Sequence, residues 1–244
     1  MNWVWFHKLA SPPSAYAFAR ILRPWLLWPA LAMMGWAAYY GLFVVPPDYQ
    51  QKDAYRIIFV HVPAASLSLL VYTMMAIAAG IGLIWRMKLA HAVAAACALP
   101  GTVFTVLALL TGAIWGRPMW GAWWAWDPRL TTELILLFLY LGYMALRASF
   151  DDVGRADRAS AVLALVGVVN IPIIKYSVVW WNSLHQGQTL SVFGKSSIDA
   201  SMVAPLLVMM LAFLLFFGAV LCAGLCAEIL RRERNAQWLL KQVQ

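Results

Sequence analysis

Charged residues are scarce in this sequence. Lys, Arg, Asp and Glu make up 11% of its 244 residues, whereas about a quarter is usual in a soluble globular domain. Hydrophobic residues account for 64%, and the mean hydropathy is +0.74. This composition excludes an ordinary soluble domain and indicates an integral membrane protein. The net charge of +8 arises from basic residues between long apolar runs, where they specify topology rather than nucleic-acid binding.

Cysteines and catalytic motifs are also scarce. The three cysteines, Cys97, Cys222 and Cys226, lie within apolar runs, so they predict no disulfide framework and indicate no redox compartment. A C-x-x-C-H motif is absent, which excludes covalent haem attachment of that kind. Gly194–Ser196 resembles the end of a phosphate-binding loop, but Thr189 occupies the position of the first glycine that such a loop requires. No Ser/His/Asp arrangement or pair of catalytic carboxylates stands out, so the sequence does not predict an enzyme.

Six apolar runs are long enough to form membrane-spanning helices, which need about 20 residues each. They lie at residues 24–45, 57–85, 92–114, 131–149, 159–181 and 202–230. The predicted fold class is therefore an all-α integral membrane protein, a bundle of six transmembrane helices. We expect one membrane domain at 24–230, preceded by a cytoplasmic leader at 1–23 and followed by a basic cytoplasmic tail at 231–244.

Basic residues predict the orientation of this bundle. If the N-terminus is cytoplasmic, twelve of the eighteen Lys and Arg residues fall in inner segments and five in outer segments, so both termini are expected in the cytoplasm. The inner connections are short, whereas three longer segments face outward: Pro46 to Arg56, the segment between spans three and four, and Asn182 to Ala200. Because binding residues concentrate on loops held by a rigid scaffold, we expect the function to lie at the outer face.

The outer segment between spans three and four is rich in tryptophan. Five tryptophans fall within twelve residues: Trp115, Trp120, Trp123, Trp124 and Trp126. Glycine and proline within the run argue against a regular helix, so we predict a membrane-surface segment. Interfacial anchoring explains one or two tryptophans at the end of a span, but five in one loop are too many for anchoring alone. Their flat indole rings suit stacking on a flat conjugated ligand, with the N–H groups available to its polar substituents.

Two of the four histidines are predicted at the same depth as this segment. His61 lies about four residues inside span two, which places it about 6 Å below the outer surface, and His185 follows the outer end of span five. Two neutral imidazoles on opposite faces of a flat iron macrocycle constitute bis-histidine haem ligation, with tryptophans against the ring edge. Zinc is a weaker alternative, because it requires a third or fourth ligand and only carboxylates remain at the outer face.

Several charged residues at the outer face have more than one possible role. Asp127, which ends the tryptophan run, is expected to accept indole N–H bonds, to pair with Arg129 or to cap the following helix. Arg56, Arg117 and Arg129 are available to ligand carboxylates, although interfacial anchoring explains each equally well. Lys175 is more unusual, because it lies inside span five. Charge within a span indicates function by default, but a lysine this close to the end of the span can also reach the surface.

Three motifs in this order resemble those of a known family. The run WGRPMWGAWWAWDPRLT, from Trp115 to Thr131, is similar to the tryptophan-rich WWD signature of haem-handling membrane proteins of cytochrome c maturation. FVHVPAA around His61 and WWNSLHQG around His185 resemble the two histidine motifs of the CcmC branch. The six spans and the length of 244 residues suit this branch better than the larger CcmF and CcsA-type proteins.

The resemblance implies a function, a ligand and partners. A protein of this kind moves haem b to the periplasmic face of the bacterial inner membrane and loads it onto the haem chaperone CcmE, as a transport component rather than an enzyme. It works with the ABC-type subunits CcmA and CcmB and with the small membrane protein CcmD. The expected axial ligands of the haem iron are then His61 and His185. The residues expected to hold the haem for the chaperone are Trp120, Trp124, Trp126 and Asp127.

Two other functional classes are alternatives. A membrane cytochrome would use haem b to pass electrons to or from quinol, but that class usually buries its histidine pairs deep in the helix bundle. A haem-free permease or assembly subunit would use the tryptophans to contact protein. Replacement of His61 and His185 by alanine would leave the function of such a subunit intact.

Overall fold

The described part of the chain is all-helical, as the sequence predicts. The computed structural model describes residues 11–181, 183–185 and 198–239, and within them it forms no β-strand. Most of the segment from Asn182 to Ala200 lies outside the described residues. The part outside includes Lys195 and the sequence Gly194–Ser196 that resembles the end of a phosphate-binding loop. The α-helices are α1 (Pro12–Tyr39), α2 (Ile58–Trp85), α3 (Lys88–Trp120), α4 (Pro128–Ala148), α5 (Val153–Gly167), α6 (Asn170–Trp180) and α7 (Ala200–Arg232).

Six helical segments of the described chain are long and apolar enough to cross a membrane, which confirms the predicted number of spans. The first span combines α1 with a π-helix at Tyr40–Val44, and the second begins with a 3-10 helix at Asp53–Ile57 that leads into α2. The fifth combines α5 and α6, and the remaining three are α3, α4 and α7. Which end of the bundle faces the cytoplasm stays a prediction.

The first and fifth spans differ from the predicted ones. The first helix begins at Pro12, since proline suits the first position of a helix. The part of the predicted leader at 1–23 that follows Pro12 is therefore helical, and its role as a cytoplasmic leader stays a prediction. The fifth predicted span is interrupted between α5 and α6. Pro172 has no N–H to offer to the carbonyl of Val168, which instead accepts the N–H of Ile171 at 3.0 Å.

The helix before the tryptophan-rich connection is longer than predicted. The expectation of a non-helical segment is wrong for residues 115–120, which form the last turns of α3. Pro118 removes only one N–H near the end of this helix, and Gly121 then ends it. Gly121 has a φ of 76°, which glycine adopts readily, and donates its N–H to the carbonyl of Arg117 at 3.1 Å. Trp115 and Trp120 therefore lie on α3, whereas the other three tryptophans lie on the connection.

A tightly packed core holds α2, α3 and α4 together. Tyr72 of α2 and Tyr140 of α4 are fully buried, and their rings meet edge to face with centroids 4.9 Å apart. Gly101 lets α3 approach this pair, because a Cβ on that residue would lie 2.2 Å from Cζ of Tyr140. Outside this core, α1 packs along α7. The core fixes the ends of α2, α3 and α4 relative to one another, and those ends carry His61 and the tryptophan-rich connection.

The two ends of the bundle differ in chemistry. At one end, here called the arginine end, Arg147 of α4 and Arg232 of α7 both pair with Asp157 of α5 and with Glu228 of α7. These side chains are largely buried, so the network ties three helices together. The opposite end, here called the tryptophan end, carries the residues from Trp115 to Trp126, the beginning of α2 and the end of α6.

Candidate functional site

The two histidines predicted to act together lie side by side at the tryptophan end. His61 is the fourth residue of α2, and His185 lies shortly beyond Trp180, the last residue of α6. Their ring centroids are 6.2 Å apart, with an angle of 34° between the ring planes. Both residues are half-buried. The fold therefore brings together the imidazole pair that the sequence singled out.

The separation of the two rings suits a shared metal ion. Two imidazoles that bind one ion from opposite sides have ring centroids roughly 6 Å apart, because each metal–nitrogen bond is about 2 Å and each nitrogen lies about 1 Å from its centroid. Among the described residues, no group of three or more His, Cys, Asp and Glu side chains is placed to hold a metal ion. These residues do not form a zinc site with three or four protein ligands, whereas an iron macrocycle needs only the two imidazoles.

A threonine on α3 determines which nitrogen of His61 is available. Nδ1 of His61 lies 3.0 Å from Oγ1 of Thr111. The Thr111 hydroxyl donates its only hydrogen to the carbonyl of Leu107 at 2.6 Å, so its oxygen acts as the acceptor toward His61. Nδ1 therefore carries the ring hydrogen, and Nε2 presents its lone pair. A histidine that binds a metal has this arrangement, with its second nitrogen donating to the protein.

Trp115 also positions His61. The two rings meet edge to face, with centroids 5.6 Å apart and an angle of 79° between the planes. The indole N–H donates to Oε1 of Gln51 at 2.9 Å, which fixes the orientation of the tryptophan. Gly112 allows α3 to come close, because a Cβ at that position would lie 3.1 Å from Cε1 of His61. Thr111, Gly112 and Trp115 thus form one face of α3 directed at the imidazole.

The other four tryptophans occupy different environments. Trp120 packs over Gly116, where an added Cβ would lie 2.9 Å from the indole ring. Trp124 and Trp126 meet edge to face, with ring centroids 5.5 Å apart. Trp123 and Trp126 are 60% and 77% exposed, so they are accessible to an external partner. Direct contact of these tryptophans with haem stays a prediction.

Trp124 carries an unsatisfied polar group. Its indole N–H is buried and has no hydrogen-bond partner in the described part of the chain. A buried donor without an acceptor costs about 1–3 kcal/mol. An acceptor on a bound ligand, such as a carboxylate, would relieve this cost.

Asp127 joins the tryptophan-rich connection to the segment that carries His185. Its Oδ1 accepts the N–H of Arg129 at 2.8 Å and caps α4, which is one of the roles predicted for it. Its Oδ2 accepts the N–H of Leu184 at 2.8 Å. The Arg129 side chain does not form the alternative pair, because its guanidinium donates to the carbonyl of Ile174 at 2.9 Å. A cavity of about 290 Å³ beside this junction is lined by Ala125, Trp126, Asp127, Pro128, Ser183 and Leu184.

Most cations at the tryptophan end are bound to the main chain. Lys52, Arg56 and Arg117 each donate to a main-chain carbonyl, as Arg129 does. These bonds favour a structural role for the four side chains. Lys175 differs, because its ammonium group forms neither a hydrogen bond nor an ion pair within the described residues. It contacts the ring of Tyr176 instead.

Sequence reasoning did not identify Thr111, Gly112 or Gln51. Thr111 and Trp115 are four residues apart and therefore share a helix face. The helix was predicted to end before the tryptophan run, so Trp115 was not placed on the same helix face as Thr111. Gln51 lies in the turn before α2 and its partner is 64 residues away along the chain, so no local pattern indicates it.

Similarity to known proteins identifies the family of this chain. The sequence profile of the family described as CcmC, heme exporter protein C, matches residues 5–240. The chain belongs to the CcmC family. This confirms the resemblance inferred from the tryptophan and histidine motifs.

Individual relatives of the CcmC family match over nearly the whole chain. The heme exporter protein C of Escherichia coli K12 is 47% identical over 239 residues, which cover 97% of this chain and 96% of the relative. The heme exporter protein C of Bradyrhizobium diazoefficiens is 49% identical over 225 residues, or 92% and 85% of the two chains. A mitochondrial protein of Marchantia polymorpha, described as ccmC-like and of cytochrome c biosynthesis, is 42% identical over 204 residues, or 84% and 85%.

Proposed function

We propose that this chain binds haem b between His61 and His185 at the tryptophan end and delivers it to a periplasmic haem chaperone of the CcmE type. The observation that carries the proposal is the 6.2 Å separation of the two imidazole centroids. The membership of the chain in the CcmC family and its similarity to relatives named heme exporter protein C support a role in haem export for cytochrome c maturation. The haem is cargo, and the chain supplies the residues that bind, orient and release it.

Each part of the site has a role in this function. Thr111 holds His61 in the tautomer that presents Nε2 to iron. The buried N–H of Trp124 offers a donor to a haem carboxylate. Trp115 packs against His61, and Trp120 is proposed to face the macrocycle. The exposed rings of Trp123 and Trp126 leave one side of the cargo open to a protein acceptor.

Release requires only exchange of ligands at iron. His185 lies on the connection beyond α6 rather than within a helix, and Asp127 holds that connection through the N–H of Leu184. A ligand from the chaperone can therefore replace His185 with less rearrangement than His61, which is built into α2. The chain breaks no covalent bond in this process, so we assign it a transport role and no enzymatic one.

The proposal also specifies location and partners. We place the chain in the bacterial inner membrane with both termini in the cytoplasm and the tryptophan end at the periplasmic face, since the positive-inside rule favours this orientation. The ABC-type subunits CcmA and CcmB and the small protein CcmD are its proposed partners in the membrane. The position of the histidine pair at the end of the bundle supports haem transfer over the membrane-cytochrome alternative.

Transfer between purified proteins tests this function. The haem-loaded chain in a lipid nanodisc is mixed with the apo form of a CcmE chaperone, the two are separated, and haem is measured in each by absorption. We expect haem to appear on the chaperone and to leave the nanodisc. Retention of all the haem, combined with its rapid reduction by quinol, would contradict the transfer function and favour a membrane cytochrome.

A further inference from the structure

Lys175 is a cation inside a membrane span, and no acidic side chain among the described residues pairs with it. In the described residues its only recorded partner is the ring of Tyr176, whose centroid lies 5.8 Å from the ammonium nitrogen. Lys175 lies five residues before the end of α6 at Trp180, or about 7.5 Å along the helix axis. Its four-carbon side chain can bring the charge to the level of the lipid headgroups. A cation held at that level beside an aromatic ring is suited to pair with an anion that arrives from the membrane.

The exposed face of α6 carries an aromatic series that runs from Lys175 to the end of the helix, beyond which the chain continues to His185. Ile174 and Ser177 are buried on the opposite side of this helix. On the exposed side, Tyr176 stacks on Trp180, with centroids 5.4 Å apart and 26° between the planes. Trp180 in turn meets Trp181 edge to face at 5.8 Å. The three rings are 43%, 56% and 49% exposed, so one continuous aromatic surface faces outward and ends close to the segment of His185.

Interfacial anchoring accounts for the aromatic rings but not for the cation among them, which pairs with no carboxylate of the described residues. Charged residues within a span are costly, and other cations at this end are bound to main-chain carbonyls. A ligand with a flat apolar body and carboxylate substituents matches both features. Its body can stack on Tyr176 and Trp180, and one carboxylate can pair with Lys175. Haem is such a ligand, because its porphyrin plane bears two propionates.

We propose that haem dissolved in the bilayer reaches His61 and His185 along the exposed face of α6, with Lys175 pairing with a haem carboxylate on the way. This inference rests on the proposed haem function and adds to it the source of the cargo and the side from which it arrives. Lys175 is here a residue of the loading route, distinct from the two iron ligands. Its removal should slow loading without altering the spectrum of the filled site.

The test measures loading rates from membrane-dissolved haem. The purified chain in vesicles of neutral phospholipid is given haemin, and the low-spin spectrum is followed with time for wild type, Lys175→Gln and Lys175→Arg. We expect Lys175→Gln to load haemin about fivefold more slowly, because a rate change of that size corresponds to the loss of one partly solvated ion pair. Lys175→Arg keeps the charge and should load at the wild-type rate. Lys52→Gln is the matched control, because Lys52 is another exposed cation at the same end but belongs to the turn before α2, where it donates to the carbonyl of Tyr49.

A second ligand separates the carboxylate contact from other effects. With haemin dimethyl ester, in which both propionates are esterified, wild type and Lys175→Gln should load at the same rate. A Lys175→Gln variant that loads haemin as fast as wild type would overturn the inference, and so would a defect of equal size with the ester. Failure of the wild type itself to show a histidine-dependent haem spectrum would instead overturn the proposed function.

Discussion

The main-chain N–H of Leu184 donates to Oδ2 of Asp127 at 2.8 Å, across 57 residues of sequence. The same carboxylate caps α4 through its other oxygen. A single side chain therefore sets the start of α4 and holds the segment that carries His185. Because α4 also packs in the core with α2, Asp127 links His185 indirectly to the helix of His61.

Substitution of Asp127 should separate its two roles. Asp127→Ala removes the cap and is expected to destabilise the fold by about 1 kcal/mol. Asp127→Asn retains a good capping residue, but one of the two accepting oxygens becomes an NH2 group, which cannot accept a hydrogen bond. We expect the asparagine variant to unfold near the wild-type temperature while the Leu184 amide exchanges hydrogen faster. Amide exchange measured by mass spectrometry checks this, and wild-type protection at Leu184 in the asparagine variant would show that the bond is unimportant.

Thr111→Val should weaken haem binding without disturbing the fold. Valine has the shape of threonine but offers no acceptor to Nδ1 of His61, so the imidazole loses the bond that fixes its tautomer. Loss of such a supporting bond typically reduces metal affinity by about 10- to 100-fold. Thr105→Val is the matched control, because the hydroxyl of Thr105 donates within α3, to the carbonyl of Gly101. Haem titration of both variants measures the effect, and equal affinities would exclude the proposed role of Thr111.

The sequence predicts the architecture and the pairing of the two histidines well. Long apolar runs determine the six spans because lipid requires every main-chain polar group to be bonded within the helix. The depth of His61 follows from helix geometry, and the position of His185 just beyond the end of its span follows from the length of that span. The shared depth of two motifs more than a hundred residues apart was therefore predictable, and the structure places the rings 6.2 Å apart.

The details of the site depend on tertiary contacts that no local pattern encodes. Glycine and proline within the tryptophan run predicted a loop, yet packing keeps residues 115–120 helical until Gly121. The bonds from Trp115 to Gln51 and from Leu184 to Asp127 join residues 64 and 57 positions apart. Such contacts are determined by the packing of helices, which composition and periodicity do not specify.

Gly101→Ala should destabilise the core that supports the site. The new methyl group would lie 2.2 Å from Cζ and 2.3 Å from Oη of Tyr140, and Tyr140 is fully buried, with its hydroxyl donating to the carbonyl of Ser68 at 2.8 Å. Overpacking of this kind costs about 1–3 kcal/mol. Gly35→Ala is the control, since no atom lies within 4 Å of its added Cβ. Thermal unfolding in nanodiscs should show a lower midpoint for the first variant only.

At the arginine end, Arg147→Gln should be far more damaging than Arg231→Gln. The Arg147 side chain is 14% exposed and pairs with Asp157 and Glu228, which are 6% and 13% exposed. Removal of Arg147 leaves these two largely buried carboxylates sharing Arg232, at a cost of up to about 3 kcal/mol. Arg231 is 52% exposed, and its pair with Glu228 is worth about 1 kcal/mol or less. Equal unfolding temperatures for the two variants would show that the ion-pair network does not stabilise the packing of α4, α5 and α7.

The most direct test of the haem site is the absorption spectrum of the purified protein. Spectra are compared for wild type, His61→Ala and His185→Ala, with His91→Gln, which lies near the beginning of α3, as the control. Two imidazoles on one iron predict a six-coordinate low-spin haem in wild type and in His91→Gln. Each alanine variant should lose the haem or convert it to a five-coordinate form. A low-spin spectrum that survives in either alanine variant, or a wild type that binds no haem, would contradict the bis-histidine site.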